Sequence, residues 1–215
     1  MLKKTVALLT ALSILVSGIM CSVYATSFSD TKGHWAESVI DKWSKKGVIL
    51  GFDGKFRPDE FIIRGDMAII LCRVNNYDTL NENTFFDLSM SDYYADEILK
   101  LNNQGVILGA DGLVRPIDNI TREEAFVMIN RIYKFEGTDA PQFDDADSVS
   151  DWARADVFAL CENGIVNGSD GKINPGANIT RAEVVQLLEN ISKPRVSIDS
   201  SFTVGEDDIW AGEIK

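Results

Sequence analysis

Three arginines stand at matching places in the chain: Arg64, Arg122 and Arg181, 58 and 59 residues apart. A guanidinium holds a carboxylate through paired, charge-assisted hydrogen bonds. Each arginine falls where a helix is expected to begin. The positive end of the helix dipole and free backbone amides should therefore join it at one anion site. Aromatic residues recur in step with the arginines: Trp35, Tyr93 and Trp152, each able to offer a flat apolar face to a sugar ring. Gly51, Gly109 and Gly168 would let a ligand come close to the backbone. Asp30, Asp87 and Asp145, each ending a Phe-x-Asp triplet, complete the recurring polar set. Together these residue types suit a ligand that joins a carboxylate to a ring with an apolar face.

Structural readings stand beside the chemical ones. The arginines could be surface residues at helix ends, paired with Asp30, Asp87 or Asp145. The tryptophans lie on what reads as an apolar helical face, so the core is their alternative home, for Trp43 above all. The Asp-Gly pairs lack the Asp-x-Asp-x-Asp-Gly loop with a distal Glu that calcium needs, so they read as turns, and no metal or cofactor is expected. The Asn-x-Thr triplets at Asn119 and Asn178 belong to helix starts. His34, the single histidine, has no nucleophile or orienting acid at a repeated position near it. Glycoside hydrolysis would require two juxtaposed carboxylates in a cleft, and the conspicuous ones, Glu124 and Glu183, serve helix caps. The expectation is a protein that is not an enzyme.

The elements that must position these residues come in three copies. Gly47 to Gly54, Gly105 to Gly112 and Gly164 to Gly171 align without gaps, and the first glycine of each lies 17 residues before its arginine. An amphipathic helix precedes each glycine, with Trp35, Ala36, Val39, Ile40 and Trp43 on one face in the first copy. Tyr93, Tyr94, Ile98 and Leu101 do the same in the second, and Trp152, Ala153, Val157 and Leu160 in the third. Gly47, Gly105 and Gly164 sit where a helix C-terminus calls for positive φ. Asp-Gly then marks a tight turn, and Pro58, Pro116 and Pro175 should keep the chain extended. A second helix starts at the arginine. Thr121 with Glu124, and Thr180 with Glu183, read as capping boxes ahead of the apolar runs Ala125–Ile129 and Val184–Leu188. The first copy reads Ile63-Arg64-Gly65-Asp66, without the capping threonine, and Gly65 should weaken the helix start. Its integrin-type Arg-Gly-Asp tripeptide is taken as coincidence. A unit this small cannot bury its apolar face alone, whereas three can share a core.

At the N-terminus, Lys3 and Lys4 precede an apolar run from Val6 to Ile19, and Val23-Tyr24-Ala25 suits signal-peptidase cleavage. Lipidation of Cys21 is the weaker alternative. Residues 1–25 are thus expected to be an export signal. The whole chain has 215 residues, with 21 basic against 33 acidic side chains and a formal charge of −12. Loss of Lys3 and Lys4 would leave 19 − 33 = −14. Long-range repulsion then opposes binding to nucleic acid or an anionic membrane, and an anionic ligand needs a local cationic site. Only Cys72 and Cys161 follow the leader, as two isolated thiols or one bridge, so no disulfide framework is expected.

At these residues the sequence resembles the S-layer homology family. The family pattern runs Phe-x-Asp, His-Trp-Ala, Gly-Ile-x-x-Gly, Asp-Gly, Phe-x-Pro and Thr-Arg-Ala-Glu. His34-Trp35-Ala36 matches in the first unit, Ile179-Thr180-Arg181-Ala182-Glu183 in the third, and Ile120-Thr121-Arg122-Glu123-Glu124, with one change, in the second. The resemblance covers about residues 28–192. It implies a mainly α fold of three tandem helix-loop-helix repeats, packed as a pseudo-threefold module around a central three-helix bundle. The repeats are expected at 26–78, 79–137 and 138–192, with 193–215 a polar tail or linker. It also implies non-covalent attachment to secondary cell-wall polysaccharide, often pyruvylated, through grooves between repeats, with the motif arginines binding it. Location is then the cell wall or surface layer, and a cargo domain or surface-layer protein is a further partner. The alternative is a secreted structural or protein-interaction module. The second unit has Tyr93 where a tryptophan is expected, which weakens its sugar-facing role.

Overall fold

The computed structural model describes residues 27–193. The expected export signal, and all but Lys193 of the expected tail, lie outside the described residues. Within them the chain is mainly α-helical: α1 (Glu37–Lys45), α2 (Arg64–Asn75), α3 (Ala95–Asn103), α4 (Arg122–Tyr133), α5 (Arg154–Glu162) and α6 (Arg181–Ile191), with a 3-10 turn at Ala146–Ser148. The remaining backbone pairing there consists of isolated antiparallel bridges.

Local chemistry sets the element ends. Gly47, Gly105 and Gly164 follow α1, α3 and α5 with φ of 72°, 69° and 66°. The amide of Val48 then reaches back to the Trp43 carbonyl at 3.2 Å, the six-residue closure of a Schellman end. At each Asp-Gly pair both residues have positive φ, and Phe52–Lys55, Ala110–Leu113 and Ser169–Lys172 bridge across them as two-residue hairpins. α2, α4 and α6 begin at the three arginines, and Thr121–Glu124 and Thr180–Glu183 form both hydrogen bonds of the capping box. α2 starts behind Ile63 with no side-chain cap.

Two expectations are corrected. Trp35 and Trp152 lie in the turns before α1 and α5, not on those helices, so the apolar face begins one residue later, at Ala36 and Ala153. The chain also does not run extended into the prolines. Arg57, Arg115 and Asn174, the residues just before them, are left-handed with φ of 59°, 51° and 53°. The opener aspartates hold that bend. Asp30 accepts the amides of Phe56 and Arg57 at 2.9 and 2.8 Å; Asp87 does so for Val114 and Arg115, and Asp145 for Ile173 and Asn174. Burial raises the Asp30 carboxyl, but the two amides outweigh it and hold the group below the ordinary aspartate value.

Packing runs between units rather than within them. α2 packs on α3, α4 on α5, and α6 back on α1. Lys42 of α1 meets Glu189 of α6 at 2.8 Å, and the Trp43 indole N–H donates to the same carboxylate. The buried side chains form one core, to which α4 contributes Ala125 through Ile129 and α6 contributes Val184, Val185, Leu187 and Leu188. At one end of that core the backbone closes on itself. Ile62 N–H donates to Ile179 O, Ile179 N–H to Ile120 O, and Ile120 N–H to Ile62 O, each at 3.1 Å.

Candidate functional site

The helix starts are joined to their neighbours in the same cyclic order. The first two amides of α2 (Arg64, Gly65) donate to Asp118 O and Pro116 O, those of α4 to Ala177 O and Pro175 O, and those of α6 to Glu60 O and Pro58 O. These amides were expected to be free for an anion. They are not, because the proline loop of the adjacent unit supplies carbonyls to the first turn of each helix. Any anion gripped here must be gripped by side chains.

The arginine side chains continue the ring. Arg64 pairs with Glu124, the capping residue of the next unit. Arg122 Nη1 lies 2.5 Å from Glu183, and Arg181 Nη1 lies 3.8 Å from Asp66, the residue of α2 at the same helix position. The opener aspartates are not their partners. Two of the guanidiniums are also fixed by carbonyls and rings. Arg122 Nε donates to Ile173 O and its head lies over Phe126; Arg181 Nε donates to Phe56 O, Nη2 to Leu50 O, and its head lies over Phe56. Burial raises the Glu124 carboxyl, but the Thr121 amide and Arg64 prevail and hold it below the usual glutamate range. The first copy differs because Ile63 stands in place of the capping threonine and Asp66, a methylene shorter, in place of the glutamate. Asp66 makes no capping box, stands farther from its arginine, and accepts a 2.7 Å hydrogen bond from the Tyr93 hydroxyl. Burial, followed by that bond to Asp66, pushes the Tyr93 phenol well above its ordinary value.

Three clefts lie along this ring, of about 550, 440 and 460 Å³ on the first, second and third units. Each takes its arginine from the unit before it in the cycle, its floor from its own turn and second helix, and its aromatic rim from the unit after it. The first cleft joins Arg181, Gly51 and Tyr93; the second Arg64, Gly109 and Trp152; the third Arg122, Gly168 and Trp35. The core reading of these aromatics is set aside by their exposure: 60% for Trp35, 57% for Trp152 and 67% for Tyr93. Trp43, by contrast, is buried. Tyr93 occupies the rim position of the tryptophans and adds the bond to Asp66. The glycines are required by packing as well. A Cβ on Gly51, Gly109 or Gly168 would fall within 2.7 Å of an opener phenylalanine ring, Phe28, Phe85 or Phe143, and of a backbone carbonyl. Asp30, Asp87 and Asp145 do not reach the cleft linings; their carboxylates hold the turns that form the floors.

Sequence reasoning missed the ninth residue after each arginine. Arg73 and Arg131 line the first and second clefts and donate to Val48 O and Val106 O; Asn190 lines the third and donates to Ile165 O. The 58-residue recurrence of Arg73 and Arg131 was a visible signal, interrupted by the asparagine in the third copy. Elsewhere, Cys72 and Cys161 are free thiols. Burial pushes them up to about 12 and about 11, which leaves them unreactive at neutral pH.

Comparison with known proteins finds the same three repeats. The family model described as S-layer homology domain matches residues 27–68, 84–126 and 142–185. Amylopullulanase of Thermoanaerobacterium thermosulfurigenes is 34% identical over 77% of this chain and 9% of its own length. Exoglucanase XynX of Acetivibrio thermocellus is 32% identical over 76% of the chain and 16% of its own length. S-layer protein sap of Bacillus anthracis is 27% identical over 86% of the chain and 24% of its own. The chain thus corresponds to less than a quarter of each of these proteins.

Proposed function

This chain belongs to the S-layer homology domain family, and we propose that its three clefts hold a carboxylate-bearing secondary cell-wall polysaccharide. It is a cell-surface module of the kind that anchors proteins to the wall. The finer reading is that a pyruvyl ketal supplies the carboxylate, a motif arginine grips it, and the exposed aromatic of the next unit lies against the sugar ring. We read the cyclic packing as a pseudo-threefold module of units 26–78, 79–137 and 138–192, with α2, α4 and α6 central. The observation that carries this proposal is the repeated composition of the clefts, each assembled from three units with a motif arginine from the unit before and an exposed aromatic from the unit after. No cleft needs to bind tightly. Three on one polymer raise effective concentration, and avidity then exceeds any single affinity by orders of magnitude. A larger cargo domain or a surface-layer protein is what such a tether would hold.

The test is pull-down of the protein by protein-free cell walls. Arg122→Ala with Arg181→Ala is expected to abolish retention while the helical circular-dichroism signal remains. Trp35→Ala with Trp152→Ala is expected to weaken it, and both rings are exposed enough to be removed without opening the core. Retention of both double variants at the level of the parent would reject the proposal.

A further inference from the structure

The clefts share a plan but not a charge. The first holds four cations, Lys55, Arg57, Arg73 and Arg181, against the two carboxylates Glu60 and Asp66. The second holds three, Arg64, Arg115 and Arg131, against Glu124 alone. In the third, Arg122 faces Glu183 and nothing else in the lining is charged; Asn167, Gln186 and Asn190 supply neutral amides. The difference sits at two places, the residue before the proline (Arg57, Arg115 and Asn174) and the ninth residue after the motif arginine. Arg73, Arg131 and Asn190 make the same bond to the carbonyl of Val48, Val106 or Ile165, so their shared structural task is met by either side chain. An arginine that has made that bond still presents donors and a full charge to the cleft, whereas an asparagine offers only a neutral amide. In a chain of formal charge −12, a local cationic excess is what draws an anion in.

Building on the wall-glycan reading, we propose that the clefts divide their polymer by charge. The first and second take anionic sugar residues, the third takes an uncharged one, and Arg73 and Arg131, together with Arg57 and Arg115, determine that preference. A polymer carrying its acidic substituent on only some residues then fits the module in a preferred register, with neutral residues seated beside Trp35.

The experiment is a nuclear magnetic resonance titration of the protein with two probes: a methyl hexopyranoside bearing a 4,6-pyruvate ketal, and its uncharged methyl ester. The Gly51, Gly109 and Gly168 amides each report one cleft. Gly51 and Gly109 are expected to prefer the anion by about tenfold, the value of roughly one net charge pair, and to lose that preference in high salt. Gly168 should respond to both probes alike at either salt. Arg131→Asn should reduce the preference at Gly109 and, combined with Arg115→Asn, remove it, while keeping the fold, since asparagine already stands at both positions in the third unit. Asn190→Arg should create a preference at Gly168. Equal anion-to-ester ratios at the three glycines, or an Asn190→Arg variant whose Gly168 response is unchanged, would overturn the division of clefts but leave the wall-glycan reading standing. Failure of both probes to move any of the three glycines would overturn both.

Discussion

Gly65 and Tyr94 fit each other across the contact between α2 and α3. A Cβ on Gly65 would lie 2.6 Å from the Tyr94 ring, and Tyr94 is buried where the other units have Ala36 and Ala153. The larger aromatic of one unit is thus accommodated by the absent side chain of the unit before it. The glycine that looks like a defect in a helix start is a packing requirement.

Gly65→Ala should therefore destabilise the protein, by about 1–3 kcal/mol of overpacking, although alanine is the better helix former by about 1 kcal/mol. In a Tyr94→Ala background the same substitution should turn stabilising. A double-mutant cycle measured by urea unfolding reads the reversal directly; additive effects would contradict the pairing.

The opener aspartates should behave as structural groups. Asp87→Ala leaves the Val114 and Arg115 amides without their acceptor and releases a left-handed residue. The expected loss is about 2–4 kcal/mol, since each amide loses a charge-assisted bond. Where the variant remains folded, probe affinity at the distant third cleft, read at Gly168, should be unchanged. A selective loss of binding with no change in stability would instead assign Asp87 to the ligand.

How much of this was legible before folding follows from the distance over which each signal acts. Helix starts, C-terminal glycines and Asp-Gly turns depend on neighbours a few residues away, and the period of 58 and 59 residues made them plain in triplicate. The partners were not legible. Arg64 finds Glu124 60 residues on, and the helix amides meet the proline loop of a different unit, so reading one repeat alone left those amides free when they are bound. Trp35 and Trp152 fit a helical period, but the helices begin two residues after them, and that small shift moves the rings from the core to the cleft rims. The variable ninth residue was hidden by its own variation.

Acid should loosen the module at its closing contact. Burial raises the Glu189 carboxyl, but its hydrogen bond and charge pairing with Lys42, and the Trp43 indole N–H, prevail and hold it below the usual glutamate value. A depressed folded-state pKa contributes stability that is present above the unfolded value near 4.5 and is lost as pH falls through the folded value. Glu124 and Asp30 act in the same direction. Stability measured by urea unfolding should thus fall as pH is lowered from 6 through about 4 toward 3. Glu189→Gln should show a shallower fall. A variant that matches the parent at every pH would show that the contact between α1 and α6 does not contribute.

The most direct measurement is co-sedimentation of the protein with purified secondary wall polymer, once native and once with its carboxylates converted to neutral amides. Guanidinium-lined clefts predict strong retention by the native polymer and loss of most of it after neutralisation. Equal retention by the two polymers would contradict the role assigned to Arg64 and Arg181.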